Sequence, residues 1–413
     1  MFSNNSFSQT GWIHQNSGSI SSLTGISFLD SDLGFICGYN GTILKTSNSG
    51  LNWENFPVGL NVNYTFSIKF FNQDTGFIIA ELNSSRRILK TTNGSINWNS
   101  SGSHSVLMMY FLNSTTGWSG WNNIYKTIDA GNNWIYMGNL TTSTTINNIW
   151  FVNENTGFAS GTYYQSINPE ISLTAGRILK TTNSGSDWNI VFITGLDRNY
   201  ASDIFFVNET SGFALGTNGF NPAQSYLFST SNAGSSWTQT IRPTGMSFLH
   251  FIDDQTGWIG GQQGNLYYTS NAGINWIQQL SNINDQLLDI EMLDQNTGWI
   301  VGISGLILKT TNGGTTWINT VSTEVPNEFK LSQNYPNPFN PVTKIGFDVQ
   351  KTSLMKLKIF NLLGKEVSEL VNGQLNPGKY EVSFDAGNYE SGIYFYRLET
   401  ENFSQTKRMI LLK

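Results

Sequence analysis

One cysteine, three histidines and a charged fraction of 12% leave this 413-residue chain short of the residues that most metal sites and nucleic-acid surfaces are built from. The single thiol, Cys37, has no internal partner for a disulfide, and its apolar setting in GFICG marks it as a buried structural residue rather than a nucleophile. His14, His104 and His250 stand far apart without metal-ligand spacing, so neither a metal nor a cofactor is expected. Positive charge is also scarce. Residues 1–323 carry 11 Lys+Arg against 18 Asp+Glu, and residues 324–413 carry 11 against 10, which argues against a nucleic-acid partner. No run is long and apolar enough for a transmembrane segment. The opening MFSNNSFSQTGW lacks the basic start, apolar middle and cleavage site of a secretory signal. Phosphate loops and nucleophile elbows are missing, and DSDLG and DDQTG begin like calcium loops without the remaining ligands.

What the chain does have is Asn, Ser, Thr and 41 glycines, with 14% aromatic residues, a mixture suited to short strands and tight turns. Two markers alternate along it. The first is a nonapeptide: KTSNSGLNW (45–53), KTTNGSINW (90–98), KTIDAGNNW (126–134), KTTNSGSDW (180–188), STSNAGSSW (229–237), YTSNAGINW (268–276) and KTTNGGTTW (309–317). The second, a TGF/TGW-type turn, precedes each copy. Dense apolar runs such as ISFLD, IWFVN and LHFID read as strands covered on both faces. Four strands per repeat, with Trp residues 36 to 54 apart, predict a seven-bladed β-propeller. A stray Gly11-Trp12 before the first blade resembles the end of a repeat and competes with Trp317 for the closing place in the seventh.

Within each nonapeptide an Asn or Asp five residues before the Trp is expected to fix a turn through its side chain. Gly50, Gly131, Gly185, Gly234, Gly273 and Gly314 follow at a position suited to positive φ; the second copy has Ser95 there, so its turn is expected to be shifted or strained. Trp53, Trp98, Trp134, Trp188, Trp237, Trp276 and Trp317 are the expected anchors of the repeat. Burying roughly 200 Å² each would give an upper limit of about 5 kcal/mol per indole.

The nonapeptide resembles the Asp box of bacterial neuraminidase repeats, and the combination of both markers is closer still to the photosystem II stability/assembly factor-like propellers. That resemblance covers roughly residues 11–320. In those families the box is a structural turn away from the catalytic face.

After a linker at 321–329 the composition changes. NYPNPFNP (334–341) imposes an extended entry, and the alternating segments that follow read as a small C-terminal β-sandwich over 330–413. NYPNPFNPVTKIGFDV, LKIFNLLGKEV, SGIYFYRLE and TKRMILLK resemble the type A C-terminal sorting domain of the type IX secretion system. The resemblance implies the type IX secretion machinery as a partner and a secreted or cell-surface location; such proteins need a secretory signal that is not seen here, so either the N-terminus is truncated or mis-started, which is the favoured expectation, or the protein does not travel.

A sialidase reading would need clustered arginines and an Arg-Ile-Pro motif. The propeller has only Arg86, Arg87, Arg177, Arg198 and Arg242, of which Arg87 and Arg177 read as strand starts, and the motif is absent. A glycoside hydrolase acting at the propeller axis through two carboxylates stays open as the alternative. The repeats differ most between the TGF/W aromatic and the nonapeptide, where the spacing is 10, 13, 8, 22, 16, 10 and 10. Insertions at 162–176 and 217–225, with the connection at 194–202, are expected to form loops on the face opposite the boxes. Tyr163, Tyr164, Glu170, Arg198, Tyr200 and Phe220 are the candidate contacts to an extracellular glycan or protein.

Overall fold

The computed structural model describes residues 11–59, 62–139, 144–168, 171–194, 199–218, 224–279, 283–314, 318–322, 324–386 and 389–413. Among these, regular structure is β-strand apart from three single-turn 3-10 segments. The chain divides into two compact units, one of residues 14–278 and 284–309, the other of residues 310–413 with 1–13 and 279–283.

In the first unit the repeat becomes antiparallel four-stranded sheets. The first runs Leu23–Phe28, Gly34–Gly38, Ile43–Thr46 and Glu54–Asn55; five more follow the same order over 64–100, 108–139, 144–193, 199–242 and 246–278. The seventh sheet is Leu287–Met292, Gly298–Gly302 and Ile307–Thr310, with Ile13–Gln15 as its outer strand. The N-terminal strand therefore closes the ring. Trp317 lies outside the described residues, and the strand after it, Ile318–Ser322, joins a different sheet.

Neighbouring sheets are joined by aromatic stacks. At six of the seven junctions the aromatic of a TGF/TGW-type turn stacks on the last apolar residue of the next sheet's first strand, the sixth-to-seventh junction having Met292 at that place: Phe35 on Phe70 at 3.5 Å, Phe77 on Phe111 at 4.4 Å, Trp118 on Phe151 at 3.5 Å, Phe158 on Phe206 at 3.6 Å and Phe213 on Phe251 at 3.8 Å. Trp299 on Phe28 at 3.6 Å brings the seventh sheet back to the first, giving the cyclic order of a β-propeller. The glycine before each aromatic has a steric cause: a Cβ on Gly34 or Gly257 would collide with the ring of Phe28 or Phe251.

The second unit packs two further sheets around one core. One consists of Ile318–Ser322, Gly378–Asp385, Val342–Val349 and Lys330–Leu331; the other of Glu366–Leu375, Ser353–Phe360, Gly392–Glu399 and Ser404–Leu411. Ile345, Phe347, Val382 and Phe384 from the first meet Met355, Leu357, Tyr396 and Met409 from the second, all fully buried. Alternation in the sequence thus becomes the two-layer packing of a β-sandwich. The proline-rich entry is pinned to this core. Asn334 N–H donates to the Tyr396 hydroxyl at 2.8 Å, its amide group donates to Thr343 Oγ1 at 3.0 Å, and Phe339 N–H donates to Ile410 O at 3.0 Å.

Candidate functional site

The nonapeptide is built from its threonine outward. Thr46 Oγ1 donates to Asn48 Oδ1 at 3.0 Å and accepts Gly50 N–H at 2.9 Å, while Asn48 Oδ1 also accepts Asn52 N–H at 3.0 Å. The same three bonds recur around Thr91, Thr127, Thr181, Thr230 and Thr269. Every threonine is buried. The turn needs two consecutive left-handed residues, Ser49 at φ 61° and Gly50 at φ 79° in the first copy. The second copy is strained rather than shifted: Gly94 and Ser95 take φ 68° and 78°, and Thr91 accepts Ser95 N–H at 3.2 Å.

The box tryptophans carry less than their size suggests. Trp98 is buried, but Trp53, Trp134, Trp188, Trp237 and Trp276 are only half-buried and meet the inner-strand Phe of their own sheet edge-on, as Trp53 does Phe28 at 6.1 Å and 88°. The indole overhangs the rim of the junction. The fully buried tryptophans are Trp12 and, from the TGW turns, Trp118, Trp258 and Trp299.

Each box also bonds to its neighbours. Ser49 N–H donates to Asp32 O at 3.0 Å, tying the box to the TGF turn, whose own side-chain cap is Asp30 accepting Asp32 and Leu33 N–H at 2.8 Å. Lys309 Nζ lies 5.2 Å from the Trp299 ring centroid and donates to Ser49 O of the next box; Lys90 and Lys180 do the same across their junctions. Both markers are therefore one structural end of the ring. DSDLG and DDQTG belong to these capped turns, and no group of three or more potential metal ligands exists among the described residues.

The opposite end carries the sequence variation. Asn40 N–H donates to Asn63 O, Ile146 N–H to Trp121 O and Gly264 N–H to Asp285 O, so the loops between second and third strands sit beside the connections between sheets. Residues 162–168 and 171–176 do not form a loop as expected: they extend the strands into a hairpin, Gly157–Asn168 against Ile171–Thr181, because the ladder continues past Thr162 opposite Gly176 to Ser166 opposite Ser172, with a register shift before Asn168. In it the Arg177 guanidinium lies 3.7 Å from the Tyr163 ring centroid, and Arg177 Nη1 donates to Thr144 Oγ1 at 3.1 Å. Arg177, read from sequence as a mere strand start, is thus part of this face. Tyr164 is 52% exposed. Tyr200 is half-buried opposite Thr217, and the Tyr200–Ala201 backbone lies against Gly176 of the hairpin. Glu170, Arg198 and Phe220 lie outside the described residues.

A second set of side chains, missed in the sequence, lies on the first strands of the sheets, which in a propeller line the central channel. The residue before the last apolar position of each inner strand is Ser27, Lys69, Tyr110, Trp150, Phe205, His250 or Glu291, different in every sheet. Tyr110, Trp150 and Phe205 contact one another in sequence, with ring centroids 5.0 and 4.2 Å apart, and Lys69 pairs with Glu291 at 3.8 Å. One turn of the pleat away, Asp203 accepts Leu249 N–H at 3.0 Å and the Asn148 amide, and Asp289 accepts Ile26 N–H at 3.1 Å; Glu291 accepts Phe28 N–H. Burial pushes all three carboxyls up, Asp289 to about 7. Burial holds His250 down at about 4, so it is neutral. Each carboxylate clips the exposed edge of the neighbouring inner strand. Cys37 is buried as expected, its thiol pushed up to about 12 by desolvation.

Residues 333–412 match the secretion system C-terminal sorting domain. Residues 4–108 and 274–335 match the family described as photosynthesis system II assembly factor YCF48. No individually curated protein sequence matches. Among solved structures, YCF48 bound to D1 peptide superposes with a TM-score of 0.57 at 18% identity, covering 74% of this chain and 99% of its own. YCF48 from Cyanidioschyzon merolae gives 0.55 at 18% identity, covering 72% and 98%. The GH74 xyloglucanase from Xanthomonas campestris gives 0.56 at 11% identity, covering 82% and 59%. At such identities the shared feature is the propeller fold. The sorting domain indicates export through the type IX route, to the cell surface or the extracellular space.

Proposed function

We propose that the chain is a non-catalytic binding protein of the cell exterior: a propeller spanning residues 11–320, joined through 321–329 to the sorting domain at 330–413, which binds an extracellular glycan or polypeptide. The observation that carries the reading is the extended hairpin of the fourth sheet, which sets Tyr163 over Arg177 and leaves Tyr164 exposed. Flat aromatic faces beside a guanidinium suit sugar rings and peptide side chains alike. Tyr200 borders the same hairpin, and Glu170, Arg198 and Phe220 complete the proposed contact set. A propeller of this fold has been solved with a peptide, YCF48 bound to D1 peptide, which supports a polypeptide as one ligand class.

Hydrolysis at the axis is the weaker reading because the buried carboxylates already accept backbone N–H groups of the adjoining strand. The test exposes the purified full chain to an array of polysaccharides and peptides and assays the same polysaccharides for reducing-end release. Retention that Tyr164→Ala abolishes, without reducing ends, supports the proposal; release that depends on Asp203 or Asp289 refutes it.

A further inference from the structure

The seventh sheet and the C-terminal sandwich draw on two segments that read as the same strand. Elsewhere a box runs straight into the outer strand of its own sheet: after Trp276, Ile277 pairs with Tyr268 and Gln278 with Tyr267. The seventh box breaks this rule. The strand after it, Ile318–Ser322, pairs with Gly378–Asp385 of the sandwich, Ile318 opposite Val382 and Asn319 opposite Glu381, with the register slipping between Thr320 and Ser322. The place it would have taken beside Ile307–Thr310 is filled by Ile13–Gln15.

The substitution extends to the tryptophan. Trp12 is 2% exposed, and its indole occupies the space that a side chain on Gly314 of the seventh box would need. Its Nε1 donates to Gln279 Oε1 at 2.9 Å, and Gln279 Nε2 donates to Gly313 O of the same box at 2.8 Å. The sequences share the Trp-Ile pair: Gly11-Trp12-Ile13-His14-Gln15 against Thr316-Trp317-Ile318-Asn319-Thr320.

We propose that the outer edge of the seventh sheet is an acceptor site for a Trp-led extended strand, and that Ile318–Ser322 is its second occupant. When the N-terminal strand is out of the site, Ile318–Ser322 leaves the sandwich and closes the ring in register with its own box. An unpaired edge at Ile307–Thr310 exposes a row of backbone donors and acceptors, and the exchange trades one short ladder for another of similar length. Moving the strand uncovers Gly378–Asp385.

Hydrogen exchange on the full chain reads both edges. In the natural sequence, amides of 307–310 and 378–385 are both protected. In Trp12→Ala/Ile13→Asp, 307–310 stays protected while exchange in 378–385 rises at least tenfold, and a synthetic peptide of residues 10–16 restores it. Adding Ile318→Pro to that variant deprotects 307–310, whereas Ile318→Pro alone does not. Loss of protection at 307–310 with 378–385 unchanged in the first variant overturns the proposal. Global loss of protection in that variant overturns it too, because the second strand should keep the ring closed.

Discussion

Phe35 of the first sheet lies flat on Phe70 of the second, with ring centroids 3.5 Å apart and 2° between the planes. Both rings are buried, and the Lys45 ammonium stands 5.4 Å from the Phe35 centroid. Phe35→Ala removes one face of this stack and leaves a cavity at the junction, so we expect a loss of about 3–5 kcal/mol in urea unfolding. Leu51→Ala, at an exposed box tip, should shift the same curve by less than about 0.5 kcal/mol.

Ser95 holds φ 78° where the six other copies have glycine, and its buried hydroxyl has no hydrogen-bond partner among the described residues. Ser95→Gly relieves the backbone and removes the unmatched hydroxyl, and should stabilise the protein by about 1 kcal/mol. Gly273→Ala imposes the opposite change at φ 75° and should destabilise by about 1 kcal/mol, both read as shifts in melting temperature.

Asp289 gives the stability a pH dependence of definite sign. Its carboxyl is raised by burial from an ordinary value near 3.8 to about 7 in the folded chain. The folded state therefore holds a proton that the unfolded state has released. The resulting stabilisation is complete below the unfolded value and is lost as pH rises through about 7. Melting temperature should fall between pH 5 and pH 8. In Asp289→Asn, which keeps an acceptor for Ile26 N–H, the fall should be shallower, with the variant at least as stable as the natural chain at pH 8.

The Lys–box contacts predict an inter-sheet role for a residue that repeats without being apolar. Lys90 Nζ donates to Ala130 O at 2.8 Å and to Asn132 Oδ1 at 3.1 Å across the second junction. Lys90→Met keeps the stem over Phe77 but loses both bonds; we expect a cost of about 1–2 kcal/mol, and little effect of added salt because the acceptors are neutral.

Much of the ring was legible because each sheet is one period of the sequence, so Asn48, Gly50 and the TGF turn could be assigned by position. What joins sheets was not. Phe35 and Phe70 meet across periods, and the repeat pattern contains no term for contacts between copies. The buried threonine of each box was passed over because a hydroxyl in a turn reads as solvated, although Thr46 makes two of the turn's bonds. Ring closure depends on Ile13–Gln15 reaching Ile307–Thr310, a pairing across nearly the whole propeller that local sequence cannot choose over Ile318–Ser322. The axial layer did leave a signal: Lys69, Tyr110, Trp150, His250 and Glu291 occupy one position of otherwise similar strands. Of the proposed contact set, Tyr163 and Tyr164 were picked out by insertion length and Tyr200 by the polar, aromatic composition of the 194–202 connection, whereas Arg177, which lies against the Tyr163 ring, reads as a strand start because of its equivalence to Arg87.

Binding by the face opposite the boxes is tested most directly by measuring retention on the polysaccharide and peptide array for the natural chain, Tyr164→Ala, and Asn48→Ala at constant temperature below all their melting points. Tyr164→Ala should abolish retention with an unchanged melting temperature, and Asn48→Ala should lower the melting temperature while leaving retention intact. Retention that survives Tyr164→Ala and disappears in folded Asn48→Ala would place the function on the boxes and contradict this assignment.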